Sequence, residues 1–141
     1  MDVSSFIHAT EDPDKVITAC RNVLPVDYAE EITFERRNLL GHYRNPITLL
    51  RARIKKKQVL EAFIKNLAGS LSDVEKTYLS SDVSRRIDDG GALYLRLDKQ
   101  EAFLGRMKLG SVDPIRVTVK LLRSRKSLEE TIAFYRSLGV L

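Results

Sequence analysis

Apolar and polar residues alternate in short runs, and between those runs apolar residues recur every three or four positions. That pattern predicts strands interleaved with amphipathic helices. The segment VSSFIHAT at 3–10 has the mixed alternation of a half-buried strand. DPDKVITACRNVL follows as a helix, with Asp12 as N-cap and Pro13 at its first position. Val16, Ile17, Cys20, Val23 and Leu24 fall on one stripe of that helix. Two strand-like runs come next, EITFERR at 31–37 and ITLLRARI at 47–54. They are joined by the nine residues NLLGHYRNP, whose Gly41, Asn45 and Pro46 are turn formers. In the first run Ile32 and Phe34 oppose Thr33, Glu35 and Arg37; in the second, Leu50, Ala52 and Ile54 oppose Leu49, Arg51 and Arg53.

KKKQVLEAFIKNLAGS reads as an amphipathic helix with Val59, Leu60, Phe63, Ile64 and Leu67 on one side and Gly69 just past its end. A shorter helix follows from Ser72, whose partner Glu75 completes a capping box. RIDDGG supplies a turn, and ALYLRL sets Leu93, Leu95 and Leu97 against Tyr94 and Arg96. Asp98 and Glu101 cap a short helix through KQEAFLGRM. IRVTVKLL then sets Val117, Val119 and Leu121 against Arg116, Thr118 and Lys120. A last helix, LEETIAFYRSLG, starts at Ser127 with Glu130 in a second capping box. The order β-α-β-β-α-(α)-β-α-β-α predicts an α+β fold, a mostly antiparallel sheet of about five strands with helices packed on one face. The other face then collects Arg37, Arg51, Arg53, Arg96, Arg116 and Lys120 as a broad cationic surface.

At 141 residues the chain fits a single domain spanning 1–141, and 43% hydrophobic content is ample for a core. No apolar run approaches the roughly 20 residues that cross a bilayer, and the first residues lack the basic-then-apolar order of a signal peptide. The expectation is a cytoplasmic protein without a membrane partner. One cysteine and two histidines offer neither an internal disulfide nor a zinc set, and Cys20 on an apolar stripe reads as a core residue rather than a reactive thiol. Neither a nucleophile-and-base pattern nor a phosphate-binding glycine loop is present, so no enzyme activity and no cofactor are expected. Asp88 and Asp89 with Asp98 allow a magnesium site on paper, but an acidic turn before a strand is the more ordinary reading.

Charge changes the picture most. RRNLLGHYRNPITLLRARIKKK, residues 36–57, holds eight Lys or Arg and no acid before Glu61. The stretch contributes +8 against a whole-chain charge of +5, which leaves −3 for the rest. A one-signed block suggests an anionic partner. Lys55, Lys56 and Lys57 also stand at a helix start, where the dipole disfavours cations. A membrane would need large apolar residues free to insert, but that helix's apolar stripe is claimed by the core. Nucleic acid is the better reading, because arginine forks match phosphates and stack on bases. Arg44 adds charge at the hairpin tip, where His42 and Tyr43 offer stacking. The alternative is an adaptor that docks an acidic protein surface.

The stretches LLGHYRNPI and RIDDGGALYLRLDKQEAFLG resemble an archaeal family of small proteins predicted to bind RNA as exosome-associated subunits. The resemblance covers roughly residues 3–123. It rests on Gly41-His42-Tyr43 followed by Asn45-Pro46-Ile47, and on the LYLRLDKQ strand-to-helix junction. Members commonly carry a glycine at the position of Arg44. The resemblance implies RNA, and exosome or other RNA-processing proteins, as partners. It also implies a fold similar to the large-subunit ribosomal protein that binds 5S RNA, with a sheet covered by helices on one side.

Overall fold

The computed structural model describes residues 1–121 and 127–141, and of His42 the backbone alone. Among these residues the chain forms five strands: β1 (Asp2–His8), β2 (Glu35–Leu40), β3 (Pro46–Arg53), β4 (Leu93–Leu97) and β5 (Ile115–Val119). Six α-helices accompany them: α1 (Pro13–Asn22), α2 (Lys57–Ser70), α3 (Asp73–Ser81), α4 (Val83–Arg86), α5 (Lys99–Phe103) and α6 (Leu128–Ser137). The strands form one sheet in the order β2-β3-β1-β5-β4, and every neighbouring pair is antiparallel. Alternation decides the faces, as expected. Val3, Ser5 and Ile7 of β1, Leu50 and Ala52 of β3, and the odd-numbered residues of β4 and β5 are buried. They share one core with Val16 and Cys20 of α1, Phe63 and Leu67 of α2, Leu79 of α3 and Tyr135 of α6. The helix starts are capped as the sequence predicts, at Asp12, Ser72, Asp98 and Ser127.

Three boundaries differ from the sequence pattern. The 31–37 strand is displaced, because β2 begins only at Glu35 and the chain before it holds a short 3₁₀ turn, Ala29–Glu31. The cause is Arg21, which donates to the carbonyls of Ala29 (2.6 Å) and Ile32 (2.9 Å) and covers the Phe34 ring at 5.2 Å. That tether draws the segment toward α1 while Ile32 and Phe34 still pack on the core. Asn38, Leu39 and Leu40 consequently belong to β2, so the hairpin loop spans 41–45 rather than nine residues. Gly69 lies inside the last turn of α2, which runs on to Ser70, where the hydroxyl donates to the Asn66 carbonyl at 2.7 Å. Conversely α5 stops at Phe103, since Gly105 takes the left-handed conformation (φ 83°) that closes a helix.

The two sheet edges are treated differently. Past β4, Leu97 bridges Leu109 and Leu93 bridges Ile87, so that edge is partly covered. At the other end β2 has an exposed, charge-rich outer strand, with Glu35, Arg36 and Arg37 all exposed.

Candidate nucleic-acid interface

Cross-strand register turns alternation into a surface. Glu35 faces Arg51, Arg51 faces Ser4, Ser4 faces Arg116, and Arg116 faces Arg96. One residue from each strand thus forms a row across the uncovered face, about 19 Å long at the usual strand spacing. A parallel row runs Arg37, Leu49, Phe6, and another runs Arg53, Asp2, Thr118, Tyr94. All six cations expected on this face therefore have the parity that places them there, Lys120 by extension of β5.

Their surroundings differ. Arg51 and Arg53 share one carboxylate, with Asp2 Oδ1 at 3.2 Å and 3.8 Å from their Nε atoms. Lys120 leans on the neighbouring acidic turn, where its charge helps hold Asp88 down. Asp88 lies below the usual carboxylate range chiefly because it accepts from the Ala92 N–H, with Tyr94 and Gly90 adding bonds. Arg96 and Arg116 stand directly opposite each other, an arrangement that costs energy in a sheet. Arg116 covers the Phe6 ring at 5.2 Å, and Arg96 has no ion pair among the described residues.

A groove of about 830 Å³ occupies the middle of this face, lined by Ser4, Phe6, Arg51, Tyr94, Arg96 and Arg116. Its wall is α4, which contributes Arg85 and Arg86. Against five arginines the lining holds two acids, Asp2 and Asp82. Arg85 and Arg86 escaped the sequence reading because arginines in the last turn of a short helix are ordinary dipole partners. Phe6 shares the parity of Ser4, and that was a legible signal.

The basic stretch itself divides. Lys56 is the N-cap residue of α2 and lies over the Tyr28 ring at 5.2 Å; Lys57 meets Glu61 at 3.7 Å; Lys55 is exposed. With Arg51 and Arg53, Lys55 and Lys56 border a second depression of about 400 Å³ that also holds Glu31 and Glu35. At the hairpin tip the Gly41 N–H donates to the Asn45 carbonyl at 2.8 Å. Within that loop Tyr43 (φ 55°) and Arg44 (φ 60°) are both left-handed, and Tyr43 is 95% exposed. The expected stacking role of the His42 side chain lies outside the described residues.

A separate polar cluster ties β1 to α1 and α5. Lys99 Nζ donates to the Phe6 carbonyl at 2.8 Å, to Asp113 at 2.7 Å and to Glu11 at 3.2 Å, while His8 Nε2 lies 3.1 Å from Asp113. His8, Glu11 and Asp113 bring ligand-type atoms within 4.8 Å of one another, but the Lys99 ammonium already sits between the two carboxylates and pairs with both. Burial works to raise the Asp113 carboxyl, yet the hydrogen bonds from Lys99 and His8 outweigh it and hold the group below its ordinary value. Cys20 is fully buried, and burial pushes its thiol up to about 12. Among the described residues no helix is long and apolar enough to cross a membrane.

Fold and face together define a class: an α+β domain whose antiparallel sheet is helix-covered on one side and arginine-rich on the other. A family model described as RNA binding matches residues 1–121, and the chain belongs to that family. It is 35% identical over 128 residues to an RNA-binding protein of Pyrococcus abyssi, covering 88% of this chain and 83% of that one. An uncharacterized protein of Methanocaldococcus jannaschii is 31% identical over 116 residues, with 80% and 76% covered. A solved structure from Methanothermobacter thermautotrophicus is similar with a TM-score of 0.80 at 30% identity, covering 98% of this chain and 95% of that one. The family match takes in all five strands and ends before α6.

Proposed function

We propose that the protein binds RNA on its uncovered sheet face without cleaving it, as an accessory factor in RNA processing or degradation. The single observation that carries the reading is the row containing Arg51, Arg116 and Arg96, in which two arginines oppose each other with no acid between them. Cross-strand like charges weaken a sheet, and a phosphate bridging the two guanidinium groups relieves that cost. Phosphate contacts extend to Arg37, Arg53 and the Lys55–Lys57 turn, and base contacts come from Tyr43 at the tip. A non-catalytic role is supported by the carboxylates' commitments: Asp113 and Glu11 to Lys99, and Asp88 to the Gly90 and Ala92 N–H groups and the Tyr94 hydroxyl. The placement beside the exosome is supported by the resemblance at 41–47 and 93–100.

The test is RNA binding over a salt series. About four to six phosphate contacts give a slope of log K against log[salt] of roughly −3 to −5. Arg96→Ala with Arg116→Ala should weaken binding on all sequences alike and reduce the slope's magnitude by roughly 1.5 to 2. A folded double variant with wild-type affinity at low salt would overturn the sheet-face reading.

A further inference from the structure

The arginine groove does not end at β4. A third depression, of about 340 Å³, adjoins it between α3 and the 109–111 segment, and it shares Arg86 and Arg96 with the groove. Its walls combine Val74 (79% exposed) and Tyr78 (56% exposed) with Leu109. Apolar and aromatic side chains one helical turn apart normally face a core, yet these two face outward beside a cationic channel. Arg86 is fixed in place, with Nε 2.7 Å from Asp82 Oδ1 and its guanidinium over the Tyr78 ring at 5.3 Å. The opposite wall is equally set, because the Gly110 N–H donates to the Arg96 carbonyl at 3.0 Å and the Leu109 N–H donates to Glu75 at 2.7 Å.

We propose that this depression is a nucleobase subsite, so that the groove takes single-stranded RNA and one unpaired base leaves the strand to stack at Tyr78 and Arg86. The inference rests on the RNA-binding reading above and adds the class of RNA. Three features converge on it. The volume lies at the small end of ligand pockets, suited to a single base. An aromatic ring and a guanidinium plane are the surfaces on which unpaired bases stack. Arg96, common to groove and depression, can hold the phosphate next to the extruded nucleotide. Bases within a duplex have both faces stacked and their edges paired, so a duplex supplies the inserted group only at the cost of unstacking and unpairing it, which favours a single strand.

The experiment compares Tyr78→Ala, Tyr78→Phe and the Arg96→Ala/Arg116→Ala double variant on three RNAs: a single strand, its blunt duplex, and the single strand with abasic positions. Tyr78→Ala should lose about tenfold on the intact single strand, keep wild-type affinity on the abasic strand, and leave the salt slope unchanged; Tyr78→Phe should bind as wild type. The wild-type protein should prefer the single strand to the duplex. Equal binding of strand and duplex, or Tyr78→Ala binding the single strand as wild type while the arginine double variant is impaired, rejects the subsite and leaves the RNA reading standing. If the double variant is unimpaired on every RNA, the sheet-face reading itself fails and the proposal falls with it. Loss of a protein partner by Tyr78→Ala without loss of RNA also rejects the subsite, in favour of a protein-docking patch.

Discussion

Arg44 shows how a single residue can be charged for binding and costly for folding. At φ 60° it holds the left-handed conformation, which glycine adopts freely and other residues adopt at roughly 1–2 kcal/mol. The glycine common at this position in the family it resembles now has a backbone reason. Arg44→Gly should therefore raise stability by about 0.5 kcal/mol, because the relieved strain exceeds the added unfolded-chain entropy. The same change should lower the magnitude of the RNA-binding salt slope by about one. Denaturant melts and RNA titrations read the two effects separately, and a less stable variant would refute the strain argument. The residue type was legible in the sequence. Its backbone angle was not, since it depends on where β2 and β3 stop pairing, at Leu40 and Pro46, and on the Gly41 N–H to Asn45 carbonyl bond that closes the loop.

Among elements, the Lys99 cluster fastens β1, the start of α1 and the start of α5 through one ammonium that is 14% exposed. Lys99→Met removes that donor and leaves Asp113, Glu11 and the Phe6 carbonyl short of partners, at a cost of about 2 kcal/mol. Asp113 carries the pH dependence of this joint. Its folded pKa lies below the ordinary 3.8, so its contribution is present above that value and is lost as pH falls through the lower folded value. Acid titration of wild type and Asp113→Asn should accordingly differ by a constant amount above pH 3.8 and converge as the pH falls below it; parallel curves over the whole range would contradict the assignment. Caps and alternation made α1, α3, α6 and the two central stripes of β4 and β5 readable. The cluster itself was not readable, because Lys99, Glu11 and Asp113 are far apart in sequence and each looks like ordinary surface charge.

Over the whole molecule, core and interface use opposite parities of the same strands, and few side chains serve both. Arg51→Glu with Arg53→Glu should thus abolish tight RNA binding while leaving a cooperative melt within a few degrees of wild type, since exposed pairs such as those with Asp2 are worth about 0.2–1 kcal/mol each. Circular dichroism and calorimetry check this, and loss of cooperativity would show that the face is part of the core's support. Parity alone was enough to place the arginines on one side. Ranking them into a row needed the strand order β2-β3-β1-β5-β4, whose pairings join distant segments and leave no local trace. The outer strand β2 has one further consequence. A free strand edge is a template on which other chains can add, and exposed charges such as Glu35, Arg36 and Arg37 are what discourages it. Solubility and ligand capture then draw on some of the same cations, so a copy whose Arg37 is neutralised by a polyanion also has less defence against edge-to-edge growth.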